Sequence, residues 1–240
     1  MPISLNSTPA QNSFEIATAH ALIRSADSLK LHLGCGARYF EGYLNIDFPP
    51  EGQSIMRAKV DAYADILRLK FPANSVDEVR SHHVFEHFDR VEALALLSAW
   101  RKWIKPTGRL VIETPDLGAS IDLLNKLGSD VVSKQRVLRH VFGSHEAAWA
   151  VHKDGWDEEK YLAVLPVIGF KIEAVEKTEW QLTRNIIVTA VPEGPDEFTM
   201  DQVSARAAHI FEVSLVDHSE SELELHRFWL SRFQQLLAFM

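Results

Sequence analysis

The chain has 240 residues, a formal charge of −8 and a single cysteine, Cys35. That length suits one sizeable core with an appendage and is short for two ordinary enzyme domains. The lone thiol excludes an internal disulfide framework and any structural zinc site that needs two thiolates. The acidic balance argues against a nucleic-acid surface, and no run approaches the ~18 apolar residues of a membrane span.

Residues 1–12 are polar and lack the basic start and apolar core of a secretory signal, which predicts a cytoplasmic protein. Residues 13–25 read as a helix, with Phe14, Ala17 and Ala21 at helical spacing. A strand follows over Lys30–Leu33 and breaks abruptly at Gly34-Cys35-Gly36. The stretch Tyr43-Leu44-Asn45-Ile46-Asp47 alternates like a second strand and ends on an acid. Only ten residues separate Leu33 from Leu44, short for a helical crossover between parallel strands, so a turn or extended loop is expected there.

Ala64-Asp65-Ile66-Leu67 reads as a short strand or turn, and Val76–Ser81 as the next strand. Asp89 with Glu92 three residues on marks a helix start of capping-box type. Its apolar side runs from Val91 to Ile104 and stops at Lys105-Pro106-Thr107-Gly108. Arg109–Glu113 is another strand, closed by Thr114-Pro115-Asp116. Residues 119–150 are mixed and mostly helical, and 119–156 is the expected lid or substrate-side insertion. A helix from Asp157 to Gly169 precedes two strands, Phe170–Glu176 and Asn185–Val191, placed to form an antiparallel pair.

Pro192-Glu193-Gly194-Pro195 marks a boundary. Beyond it, Thr199 with Gln202 and Ser219 with Glu222 are spaced as capping boxes, and Phe198 with Val203 as a hydrophobic staple. The last helix carries Leu225, Phe228, Trp229, Phe233, Leu236 and Met240 on one stripe. Residues 196–240 hold eight acids and three arginines, so five of the eight excess negative charges lie in this tail. Such a stripe is expected to pack within its own domain or against a twin subunit, which leaves a monomer or a homodimer through these helices.

A strand running into Gly34-Cys35-Gly36 early in an alternating βα chain marks a site at the strand's carboxyl end. The dinucleotide-dehydrogenase pattern fails, because its third glycine would fall at Tyr39 and Asp47 comes too soon. The P-loop pattern fails for want of Gly-Lys-Ser/Thr. A carboxylate at a strand end, such as Asp47, can still take both hydroxyls of a ribose.

Read in order, the chain resembles the class I S-adenosylmethionine-dependent methyltransferases, and within them a type-11-like bacterial group associated with glycan pathways. The residues that carry the resemblance are Leu31–Gly36, Gly42–Asp47, Asp65–Leu67, Asn74–Val79, Ser81–His87, Lys105–Leu110, Thr114–Asp116 and His152–Asp157. Thr107 stands where a second glycine is usual, and the acidic tail is not part of that core family. The expected fold is α/β, a Rossmann-like, seven-stranded and mostly parallel sheet with its last two strands antiparallel and helices on both faces. An N-terminal helical segment (1–27) and a C-terminal acidic helical appendage (193–240) would flank the methyltransferase domain at 28–192.

By that resemblance the backbone of Gly34, Cys35 and Gly36 would receive the methionine part of S-adenosylmethionine, with Arg38 on its carboxylate. Asp47 would hold the ribose, and Asp65 with the amides of Ile66 and Leu67 would read the adenine edge. His82 and His83 would lie beside the sulfonium. The acceptor implied is a small polar molecule, a hydroxyl of a sugar or glycan precursor.

A hydroxyl acceptor needs a base, and histidine suits that task near neutrality. His83 stands first, then His152, then Asp116. Two rivals remain. His83-Val84-Phe85-Glu86-His87 matches the His-x-x-Glu-His of zinc peptidases, with two histidine ligands and a glutamate to activate water. That motif requires a helix, whereas here it follows a strand directly, so no metal site is assigned. The other rival is a non-catalytic or regulatory protein that keeps the methyltransferase fold.

Overall fold

In the computed structural model, residues 3–4, 28–50, 57–195 and 198–240 are described. The helix expected over 13–25 lies outside them. Among the described residues, eight strands form one sheet: β1 (Ile3–Ser4), β2 (Lys30–Leu33), β3 (Leu44–Asp47), β4 (Ala62–Tyr63), β5 (Val76–His82), β6 (Ile104–Pro115), β7 (Phe170–Trp180) and β8 (Thr183–Pro192). Their order is β1-β4-β3-β2-β5-β6-β8-β7. The two-residue β1 adds an edge to the seven strands expected. All pairings from β1 to β6 are parallel, while β8 runs antiparallel to both β6 and β7. The expected Rossmann-like sheet with a closing antiparallel pair is therefore present.

The helices are α1 (Arg90–Trp103), α2 (Leu117–Lys126), α3 (Val131–Phe142), α4 (Glu158–Ile168), α5 (Met200–Glu212) and α6 (Glu220–Phe239). Asp89 and Glu92 close a reciprocal capping box on α1, and Thr199 with Gln202 does the same on α5. Both satisfy orphan amides of a first turn. The box expected from Ser219 and Glu222 does not form. Glu222 instead accepts the Val216 amide at 2.9 Å, and Asp217 accepts that of Ser219 at 2.8 Å.

The core lies between the sheet and these helices, where Trp100, Trp103, Tyr161, Phe85, Phe170, Phe211 and Phe233 are fully buried. Phe211 and Phe233 bring the tail onto this core, and Arg232 pairs with Asp89 at 2.7 Å and Glu92 at 2.8 Å, joining α6 to the cap of α1. No crossover helix separates β2 from β3, as the short spacing demands. Asp65 caps a single 3₁₀ turn, Ile66–Arg68, after the two-residue β4.

β6 begins at Ile104, earlier than the expected Arg109. Val76 pairs with Ile104 and Glu78 with Arg109, so Lys105-Pro106-Thr107-Gly108 is a bulge inside a longer strand. A side chain at Gly108 would come within 2.7 Å of the Asp77 carbonyl, which is why the bulge needs glycine.

Candidate functional site

β2 has β3 on one side and β5 on the other, and the chain progresses away from it in both directions. This is the topological switch of the sheet, where open α/β folds place their ligand crevice at the strands' carboxyl ends. Gly34, Asp47 and His82 stand at the carboxyl ends of β2, β3 and β5. Gly34 and Gly36 both have positive φ, 67° and 52°. The Gly34 and Cys35 amides donate to the Ile46 carbonyl at 2.8 and 3.1 Å. Asp47 accepts the Gly36 amide on Oδ2 at 2.5 Å and the Phe48 amide on Oδ1 at 2.7 Å. Burial raises the Asp47 pKa, and these two amides oppose the shift.

Gly34 has a reason to be glycine beyond the turn. A Cβ there would sit 2.0 Å from Val84 Cγ2, so the loop after β5 already fills that space. Cys35 is buried, and burial beside Asp47 pushes its thiol up to about 12, which makes it unreactive near neutrality.

A chain of polar side chains crosses the crevice. The Asn45 amide nitrogen donates to the Phe40 and Tyr43 carbonyls and to Asp61, so Asn45 Oδ1 is the acceptor facing His32 Nδ1 at 3.1 Å. His32 Nδ1 therefore carries the proton, and its Nε2 accepts from His82 Nδ1 at 3.2 Å. Burial is the main cause that lowers both rings to about 4, and both are neutral. Beyond His82, Glu113 stands between His82 Nε2 (3.7 Å) and His83 Nε2 (3.3 Å).

His83 follows β5 with φ 51°, a left-handed conformation uncommon outside glycine. Its Nδ1 lies 3.4 Å from Glu86 Oε1, so each ring nitrogen faces a carboxylate. Burial opposes the charge, but Glu113 and Glu86 outweigh it and raise the ring to about 9. His83 is an imidazolium at neutral pH. His152 is different: its Nδ1 donates to the Val141 carbonyl at 3.0 Å, which leaves the lone pair on Nε2, and burial lowers its pKa.

The crevice opens beside His83 into a cavity of about 530 Å³. His83, Glu86, His87, His140 and His152 line it, with Arg136 and Arg139 of α3 and with Trp149 and Trp180. The 119–156 stretch thus supplies much of the wall. Asp116 does not line it; the carboxylate caps α2 through the Ala119 amide at 2.9 Å, with Lys177 3.9 Å away. Arg38 reaches Glu113 at 3.4 Å with its side chain 56% exposed. Asp65 Oδ1 accepts the Leu67 amide at 3.0 Å, so of the two amides named for the adenine edge that of Leu67 is already used.

Glu113 and His140 were not singled out from the sequence. Glu113 closes a run of strand residues and reads there as a strand end. His140 sits one helical turn after Arg136, and it meets His83, with ring centroids 5.9 Å apart, only through the packing of α3. His83-x-x-Glu-His is not helical: Phe85–His87 is one 3₁₀ turn, and His83 is held between Glu86 and Glu113. This geometry does not form the His83–His87 metal pair of a peptidase.

Residues 31–112 match the family model described as a methyltransferase domain. No curated protein matches the chain in sequence. Among solved structures, the methyltransferase in a complex with the Haloferax volcanii Trm112 methyltransferase activator is similar at 15% identity, covering 76% of this chain and 90% of that one, with a TM-score of 0.49. Magnesium protoporphyrin IX methyltransferase from Synechocystis PCC 6803, solved with bound SAH, is 16% identical over 75% and 81% of the two chains (TM-score 0.46). An S-adenosylmethionine-dependent methyltransferase from Mesorhizobium loti is 18% identical over 78% and 99% (TM-score 0.43). Among the described residues, no helix is long and apolar enough to cross a membrane.

Proposed function

We propose that the chain transfers a methyl group from S-adenosylmethionine to a small polar acceptor, a hydroxyl of a sugar or glycan precursor. The observation that carries this reading is the crevice at the switch between β2 and β5, with the glycine turn braced by Asp47 on one side and the histidine-lined cavity on the other. The residues present suit the cofactor. Asp47 keeps lone pairs beyond its two amide bonds, enough to accept ribose hydroxyls. Asp65, whose side chain is 34% exposed with Oδ2 3.7 Å from Arg68 Nε, stands with Ile66 at the end of β4 where an adenine edge would lie. Arg38 reaches this face for the cofactor carboxylate, near Gly34, Cys35 and Gly36. His82 is neutral and so does not repel a sulfonium.

S-adenosylmethionine supplies a methyl carbon activated by positive sulfur. The protein must align the acceptor with it and accommodate the proton that a hydroxyl loses as its oxygen takes the methyl. His83 is already protonated and pinned by two carboxylates, which makes it an anchor for an acceptor oxygen rather than a first proton acceptor. His152 carries its lone pair on Nε2 at the cavity wall and stands ahead of His83 as the base. Asp116, committed to a helix cap, is the weakest of the three. Trp149, Trp180, Arg136 and Arg139 give the cavity flat apolar faces and cationic donors, a lining that suits a sugar bearing an anionic group.

Asp47→Ala tests the site. Calorimetry with S-adenosylhomocysteine should show affinity falling at least about tenfold, as expected for loss of charged hydrogen bonds, with the thermal transition still cooperative. Unchanged affinity would refute the ribose assignment.

A further inference from the structure

We propose that Glu86, His87 and His152 form a binding site for one divalent transition-metal ion, with zinc as the first candidate, in the wall of the acceptor cavity. One ligand atom from each of the three lies within 4.8 Å of the other two. His87 gives Nδ1 to the Val151 carbonyl at 3.2 Å, and His152 gives Nδ1 to the Val141 carbonyl at 3.0 Å. A carbonyl accepts only, so both rings carry their proton on Nδ1 and present the Nε2 lone pair. Backbone carbonyls orient metal-bound imidazoles in this way.

Glu86 supplies the second, independent observation. Its side chain is 2% exposed, and neither carboxylate oxygen has a hydrogen-bond partner. Glu78, equally buried, shows how such a group can be satisfied: Tyr43, Arg80 and Arg109 donate to it at 2.7 to 2.9 Å. Leaving a buried carboxylate without donors is costly. The His83 imidazolium and His152 both approach Oε1, at 3.4 and 3.8 Å, and Oε2 is left without a hydrogen-bond donor. A buried carboxylate beside two imidazole ligand atoms within 4.8 Å is a donor set that suits a divalent cation. Two imidazoles and one carboxylate suit zinc and leave positions open for another ligand.

The site is also held in place. Phe85 is fully buried against Trp100 and Trp156, which anchors the turn bearing Glu86 and His87. The Lys153 amide donates to the Glu86 carbonyl at 2.8 Å, tying that turn to the segment carrying His152. The His87 and His152 rings stand 4.7 Å apart at 88°. All three residues line the cavity, so the open coordination positions face the acceptor. What the ion does there rests on the methyltransferase reading. It would take an acceptor oxygen, lower its pKa, and release the proton to cavity water while the methyl passes from sulfur to that oxygen. His152, the base of the ion-free site, acts as a ligand when the ion is bound.

The test is calorimetric titration of the chelator-treated full chain with zinc chloride, alongside titration with S-adenosylhomocysteine. The expected result is one zinc per chain, with affinity falling about tenfold or more in His87→Ala and in His152→Ala. Cobalt(II) in place of zinc should give visible absorption that both variants lose. Retained S-adenosylhomocysteine binding in the variants would show that they are folded. No stoichiometric zinc binding, or binding unchanged in both variants, overturns the proposal. Zinc bound without S-adenosylhomocysteine would uphold the metal site and remove the methyltransferase reading.

Discussion

His32 is fully buried in β2, and its two ring nitrogens are both used, one by Asn45 and one by His82. Burial penalises charging this ring, which would also break that pattern, and its pKa falls to about 4, as does that of His82. In the unfolded chain both titrate near 6.5. Above that value folded and unfolded chains bind the same protons at these sites, and the full stability is present. Between pH 6.5 and about 4 the unfolded chain binds more protons, so stability falls with falling pH. His32 alone should account for a loss of order 3 kcal/mol across this window, with His82 adding in the same direction. Urea midpoints measured from pH 7 to 4.5 should drop steadily, and His32→Gln should flatten the slope. A midpoint that does not move would contradict a neutral buried pair.

At the scale of elements, the end of β2 and the loop after β5 lock together through Gly34 and Val84. Gly34→Ala meets two penalties, a φ of 67° and a Cβ only 2.0 Å from Val84 Cγ2. A loss of about 2 kcal/mol or more is expected in denaturant unfolding. Gly34→Ala with Val84→Ala should recover the steric part and not the conformational part. Equal stability of Gly34→Ala and the parent would show that this contact does not hold the turn. The glycine turn was legible because a strand followed by Gly-x-Gly is a local signal, and Asp47 because it ends the next strand. The capping boxes of α1 and α5 were legible for the same reason. The same spacing misleads at α6, where Val216 and Asp217 engage the groups that the box of Ser219 and Glu222 would use. In the sequence Lys105–Gly108 reads only as the stop of the helix's apolar side, and it takes the pairing with β5 to show that it bulges a continuing strand.

Over the whole molecule, the sheet sets the site and distant segments furnish it. The alternation of strands and helices was enough to give the sheet's class and its antiparallel close. The convergence of Glu113 from β6, His140 from α3 and His152 from the following loop on His83 and Glu86 is a product of packing, and no local spacing encodes it. The same holds for the tail. Its apolar stripe predicts burial somewhere, and the structure seats Phe233 against the core while leaving Phe228 exposed. The proposed function requires that the crevice between β2 and β5 hold S-adenosylmethionine. Calorimetric titration of the full chain with S-adenosylhomocysteine tests it most directly: a one-to-one isotherm in the micromolar range is predicted, and no heat of binding at millimolar ligand would contradict it.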